Sequence, residues 1–185
     1  SKEAIFEAIK KLRVRGAPAI GIAAAFGVYL CTKHVETDDY DEFKQAFTEV
    51  MEYLASSRPT AVNLFWALNR MEAAAVANKD KEVAAIKELL FEEADKIREE
   101  DVGISRGIGE IGFGLLKELK KEGAEIGILT HCNAGTLATA KYGTATAPMY
   151  IALEKGWPGT DMHVYCDETR PLLQGARLTS FELYN

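Results

Sequence analysis

Ile126-Gly127-Ile128-Leu129-Thr130-His131-Cys132-Asn133-Ala134-Gly135-Thr136 opens the stretch whose reading decides the fold. The stretch closes at His163-Val164-Tyr165-Cys166-Asp167-Glu168-Thr169-Arg170-Pro171 and Leu173-Gln174-Gly175-Ala176-Arg177. The apolar run Ile126–Thr130 predicts a strand, and His163–Cys166 predicts a second. Between them lies an Ala-rich segment through Tyr142-Gly143-Thr144-Ala145, read as helical. A strand–helix–strand crossover makes the two strands parallel. Their carboxyl ends then open on one rim, where open α/β sheets bind ligands. Cys132, Asp167, Glu168, Arg170 and Gln174 are expected to converge there although they are far apart in sequence.

Upstream of this stretch the pattern is helical. Ser1–Leu12 reads as a short amphipathic helix with Ile5, Ile9 and Leu12 on one face. Val14-Arg15-Gly16-Ala17-Pro18-Ala19-Ile20-Gly21 then places a proline where a first helical position falls, with a glycine turn before it. The helix it starts runs to Thr32, and its free amino-terminal N–H groups form an anion site. Arg15 beside that end adds a fork for phosphate. The plainer reading is a core helix with a surface arginine. Asp41–Ser56 is a further helix, with Phe43, Phe47, Val50 and Leu54 recurring at helical spacing. Ser57-Arg58-Pro59-Thr60-Ala61-Val62-Asn63-Leu64 repeats the order arginine, proline, helix start, here for a helix over Ala61–Ala77. Two copies support a divided phosphate site more than either alone, and the plainer alternative is a chance recurrence of proline at helix starts, which is common.

Glu82–Glu100 is amphipathic, with Val83, Ile86, Leu90, Ala94 and Ile97 inward, and Asp101–Glu122 continues as helix. Gly107-Ile108-Gly109-Glu110-Ile111-Gly112 spells the letters of a dinucleotide fingerprint. That fingerprint must follow a strand and open a helix, whereas this one lies inside a helical pattern. Its glycines are read as allowing close helix packing. Lys120-Lys121-Glu122-Gly123 ends the helix, and the composition changes there. The domain boundary is therefore expected near Gly123: a helical segment over 1–123, then the first part of a parallel α/β domain over 124–185. Two parallel strands alone make a poor sheet, so the sequence is expected to be a piece of a larger fold. The all-apolar Ile126–Leu129 run suits a central strand.

The 185 residues, 48% apolar and 27% charged, are ordinary for a globular protein. A net charge of -6 with dispersed Lys and Arg argues against a nucleic-acid partner. Ala17–Cys31 is too short and too rich in Ala and Gly for a membrane span. Three cysteines give no even disulfide framework, which makes a reducing cytoplasm the default location. No zinc spacing occurs, and neither a metal nor a cofactor is expected.

Cys132 is the leading candidate for chemistry. A thiol at a strand's carboxyl end, before a loop that leads to a helix, is placed for proton transfer or nucleophilic attack if a helix end or cation lowers its pKa. The alternative is an inert buried cysteine. Cys31 lies among apolar residues and reads as core, and Cys166 ends the second strand, which raises a redox pair with Cys132 whose separation the sequence does not give. His131 is a candidate to orient the thiol. Asp167, Glu168 and Arg170 either bind hydroxyls or shape their own loop. The Gln174 amide both donates and accepts, which suits a sugar hydroxyl or phosphate oxygen.

Four motifs appear together in one order: Arg15-Gly16-Ala17-Pro18-Ala19-Ile20-Gly21, Ser57–Leu64, Thr130–Gly135 and Asp167–Thr179. In these the chain resembles the 5-methylthioribose-1-phosphate isomerases of methionine salvage. That family is related to the regulatory subunits of the translation-initiation guanine-nucleotide exchange factor. The resemblance covers nearly the whole chain. It implies a helical segment followed by a Rossmann-like domain, usually as a homodimer. It further implies that Arg15, Gly16, Ala17, Arg58 and Gln174 contact a phosphorylated sugar and that Cys132 is the catalytic cysteine. The family's second catalytic residue, an aspartate on a later strand, has no counterpart in these residues. Ribose-1,5-bisphosphate isomerase, and a regulatory subunit that binds phosphosugars or nucleotides without turnover, are the competing expectations.

Overall fold

The structure is a computed structural model that describes residues 1–184. The chain forms two compact units, Ser1–Glu99 and Glu100 onward. Each has its own apolar cluster.

The first unit is helical: α1 (Lys2–Lys10), α2 (Ala17–Thr32), α3 (Tyr40–Ala55), α4 (Val62–Ala77) and the start of α5 (Val83–Leu119). Most periodic apolar positions read from sequence are its core, but α1 stops at Lys10, and Leu12, at φ 59°, lies beyond it and outside the cluster. Ile9, Phe43, Phe47, Leu54, Leu64, Ile86 and Leu90 are completely buried. Asp39 caps α3 by accepting from the Glu42 amide at 2.9 Å, the standard side-chain solution for an orphan amino-terminal N–H. Helices α2 and α4 pack closely. A Cβ on Gly21 would stand 3.0 Å from the Asn63 carbonyl oxygen, so glycine there lets the second turn of α2 lie close against the first turn of α4.

α5 is one unbroken helix of 37 residues that begins in the first unit and ends in the second. Gly123 marks where the helical composition stops, but the packing divides earlier, at Glu99. The physical reason is that the later part of α5 belongs to the second cluster: Phe113 is buried with Tyr142, Ala147, Ile151 and Ala152. The Gly107–Gly112 run behaves as a packing surface at two of its three glycines. Added Cβ atoms would come within 2.5 Å of Ile151 at Gly109 and 2.4 Å of Pro148 at Gly112, while Gly107 has open space.

In the second unit, β1 (Ile126–His131) and β2 (Met162–Asp167) pair in parallel, Ile126 opposite Met162 and His131 opposite Asp167. The crossover helix α6 (Ala147–Glu154) starts later than its Ala-rich sequence predicts. Residues 142–145 form a turn instead of helix. Tyr142 and Gly143 have φ of 67° and 76°, and the Thr139 and Thr146 hydroxyls bond to the backbone of Lys141, Tyr142 and Gly143. Such local side-chain bonds compete with the helical ladder. Met162 packs on the α6 cluster, whereas Leu129 and Tyr165 on the alternate face are 68% and 57% exposed. The sheet therefore has one covered face and one open face, where Leu129 and Tyr165 lie among His131, His163 and Asp167, so β1 is not buried on both faces as its composition describes. After β2 the chain turns through Gln174 into a π-helical segment, Gly175–Thr179, and then α7 (Ser180–Tyr184).

Candidate active site

The sequence-selected residues fall into two sets, one in each unit. In the first unit Gly16 (φ 90°) sits at the cap position of α2, with Ala17 as its first helical residue and Pro18 next. Arg15 is half-buried beside them. Arg58 is likewise half-buried, three residues before the Ala61 cap of α4. Neither α2 nor α4 receives a side-chain cap. Among the described residues, neither the Arg15 nor the Arg58 guanidinium makes a hydrogen bond or ion pair. The close approach at Gly21 and Asn63 lies within about one turn of both amino ends, since each turn rises about 5.4 Å. Arg15, Gly16, Ala17 and the start of α4 are thus a local group in which, among the described residues, no side chain caps either helix.

The second set lies on the rim formed by the carboxyl ends of β1 and β2. Cys132 follows β1 directly, half-buried, with φ of 61°. For a residue with a side chain that conformation costs about 1–3 kcal/mol and persists only where its surroundings impose it. Here the Thr179 hydroxyl donates to the Cys132 carbonyl. Asn133 donates to Glu182 Oε1 at 2.7 Å and is 3.5 Å from Thr179 Oγ1. Cys31, Cys132 and Cys166 are not in disulfides. Burial pushes the Cys31 thiol up, as expected for a cysteine packed against the helical core.

The loop after β2 is held by its own carboxylate. Glu168 accepts from the amides of Thr169 at 2.7 Å, Gly175 at 3.0 Å and Ala176 at 3.2 Å. These backbone donors, Thr169 first, together with the Arg170 charge, hold the Glu168 carboxyl below the usual carboxylate range. Glu168 therefore shapes its loop, as the structural alternative supposed. His131 is exposed and faces Asp167 across the strands, Nδ1 to Oδ2 3.7 Å. Arg170 is exposed.

One feature of this rim is chemical. Five buried side-chain polar atoms among the described residues have no hydrogen-bond partner, and four of them are here: Thr130 Oγ1, Asn133 Oδ1, Thr169 Oγ1 and Gln174 Oε1. Buried polar atoms are nearly always paired, so such a cluster marks missing hydrogen-bond partners. Among the described residues no group of His, Cys, Asp and Glu could hold a metal ion, and no helix is long and apolar enough to cross a membrane.

Residues 13–185 match the Initiation factor 2 subunit family. The chain belongs to that family. It is 57% identical over 181 residues to a methylthioribose-1-phosphate isomerase of Symbiobacterium thermophilum. It is 54% identical over 182 residues to a 5-deoxyribose 1-phosphate isomerase of Clostridium botulinum. Each match covers 98% of this chain, and 48% and 50% of the relatives. The chain thus spans about half the length of the curated relatives it matches. Among solved structures it is similar to 5-methylthioribose 1-phosphate isomerase of Pyrococcus horikoshii, at 40% identity and a TM-score of 0.87, covering all of this chain and 49% of that one. A translation initiation factor eIF-2B delta subunit from A. fulgidus gives 44% identity and 0.85, covering all of this chain and 51% of that one.

Sequence reasoning passed over Thr179 as an individual residue and Glu182 altogether. Both lie more than 40 positions from the loop they hold, 47 for Thr179–Cys132 and 49 for Glu182–Asn133. Only their mutual spacing, one helical turn, was visible.

Proposed function

We propose that the protein containing this chain is an aldose–ketose isomerase acting on a ribose 1-phosphate whose C5 carries no free hydroxyl. 5-Methylthioribose 1-phosphate is the leading substrate and its 5-deoxy analogue the nearest competitor. What carries the reading is that four of the buried polar atoms without a hydrogen-bond partner, on Thr130, Asn133, Thr169 and Gln174, belong to the two segments that form the rim beside Cys132. Sugar hydroxyls both donate and accept and suit such a rim. Arg15, Gly16 and Ala17, with Arg58, are assigned to the phosphate, and Gln174 to the sugar. The names of the two relatives agree on the reaction and differ only at C5.

The chemistry follows from the substrate. An aldose phosphorylated at its anomeric oxygen cannot open by simple hemiacetal reversal. An acid protonates the ring oxygen as its bond to C1 breaks. In one route a base removes the C2 proton, giving an enol that takes a proton at C1 as the C2 hydroxyl becomes a carbonyl. In the other, the C2 hydrogen migrates to C1 as hydride while the C2 hydroxyl loses its proton. Cys132 is the base in the first route and stabilises the charged intermediate in the second. The acid is assigned to an aspartate outside these residues. A Rossmann-like completion of the sheet, a homodimer and a cytoplasmic location belong to the same proposal.

The test is turnover by the full-length protein. Incubation with each 1-phosphate, and with ribose 1,5-bisphosphate, is followed by NMR for the ketose, and in deuterated water for label at C1. Ketose from either C5-modified substrate supports the reading. Label at C1 selects proton transfer. Binding without turnover of any of the three overturns the isomerase reading. It would favour the non-catalytic alternative, toward which the eIF-2B subunit neighbour points.

A further inference from the structure

Glu182 holds the loop that carries Cys132, and it does so with both carboxylate oxygens. Oε1 accepts from Asn133 Nδ2 at 2.7 Å and from the Leu137 amide at 3.3 Å. Oε2 accepts from the Thr136 amide and from the Thr136 hydroxyl at 3.1 Å. Four donors and no acceptor converge on the group. A carboxylate, which accepts at both oxygens, meets all four of them. The fit leaves no room for a side chain at Gly135, where a Cβ would fall well inside contact distance of the carboxylate. Tyr150 lies close enough that the Glu182 charge adds to the burial that raises its phenol.

One turn before Glu182, Thr179 donates its hydroxyl to the Cys132 carbonyl. The segment Thr179–Glu182 therefore grips the loop at two points. Thr179 takes the residue with the left-handed backbone, and Glu182 takes the residues after it. Cys132 lies between these two grips. We propose that Glu182 is a positioning residue: its carboxylate fixes the Asn133–Leu137 loop so that the Cys132 thiol is held on the rim. The functional consequence rests on the isomerase reading above, but the placement of the thiol does not.

Glu182→Gln tests this in the full-length protein. The amide has the same shape and leaves no cavity, but only one of its two end atoms accepts. Either the Asn133–Leu137 donor pair or the Thr136 pair then faces an NH2 group. Two readouts are taken. The first is kcat and KM for the phosphosugar. Mispositioning lowers kcat about 10- to 100-fold with KM nearly unchanged. The second is the rate of alkylation of Cys132 by iodoacetamide, mapped by mass spectrometry across pH, which needs no turnover. Its pH profile is expected to shift, while that of Cys31 in the same molecule stays in place as an internal control. A variant with wild-type kcat and an unmoved Cys132 profile overturns the proposal, even if its melting temperature falls. If the wild-type protein turns over none of the sugar phosphates, the isomerase reading fails and the alkylation profile alone decides the role of Glu182. Should Glu182→Gln not fold, Glu182→Asp, which keeps two acceptors on a shorter stem, is judged by the same criteria.

Discussion

The amino ends of α2 and α4 and the two rim loops of the sheet treat backbone N–H groups in opposite ways. In the helical unit those ends lack side-chain caps, and the Arg15 and Arg58 guanidinium groups beside them have no partner among the described residues. In the α/β unit the rim amides are already occupied. Glu168 takes Thr169, Gly175 and Ala176, and Glu182 takes Thr136 and Leu137. Both regions are rich in donors, but only the first leaves them open to an outside anion. Under the proposed function the helical ends are assigned to the phosphate and the rim, with its thiol, to the sugar.

The comparison can be broken or sharpened by experiment, the largest effect first. Cys132→Ala in the full-length protein should lower kcat by about 10²–10⁴-fold, the usual range for a positioned acid or base. Cys31→Ala should leave turnover largely intact. Equal losses in the two variants would mean that stability, not chemistry, had been removed. Next come the arginines. Arg15→Ala and Arg58→Ala should each weaken binding of the phosphosugar by roughly 1.5–3 kcal/mol, the worth of a charge-assisted hydrogen bond. Calorimetric titration with an unchanged dissociation constant in both variants would remove the phosphate from the helical ends.

A sharper form uses inorganic phosphate alone. It should shift the amide resonances of Ala17, Ala19, Val62 and Asn63 and leave those of Thr136, Leu137, Gly175 and Ala176 in place. Shifts confined to the second group would reverse the comparison. The smallest effect is that of pH on the Glu168 loop. Its carboxyl titrates below the ordinary carboxylate range, so the folded state binds this proton less readily than the unfolded chain. The stabilisation is fully present above the ordinary glutamate value and is lost as pH falls through the lower, folded value. The amide resonances of Thr169, Gly175 and Ala176 should therefore move together only under clearly acidic conditions. A common midpoint at or above the ordinary glutamate value would contradict the hydrogen bonding.

Much of the architecture was legible from one dimension. Apolar spacing located the helices and their buried faces because burial on a helix repeats with the helical turn. Phe43, Phe47, Val50 and Leu54, and Val83, Ile86, Leu90, Ala94 and Ile97, all lie in the core. The two strands and the rim at their carboxyl ends followed from apolar runs and the geometry of a crossover, and the structure pairs His131 with Asp167 at that rim. Gly107–Gly112 was separable from a nucleotide fingerprint because its context was helical.

Other features belong to the tertiary structure alone. The Ala-rich segment before α6 has helical composition, but Tyr142 and Gly143 at positive φ, held by threonine hydroxyls, make it a turn. The packing division at Glu99 lies inside an uninterrupted helix, where no composition change marks it. Leu129 reads as interior by type yet is exposed, because a strand's exposure is set by what lies over it. Glu182 is the clearest case. A glutamate near the end of a helix is unremarkable in sequence. Its role exists only because the fold returns it to a loop 46 residues earlier, where four donors await one carboxylate. Periodicity is local and survives in the sequence, whereas hydrogen bonding between distant segments depends on geometry that only the folded chain creates.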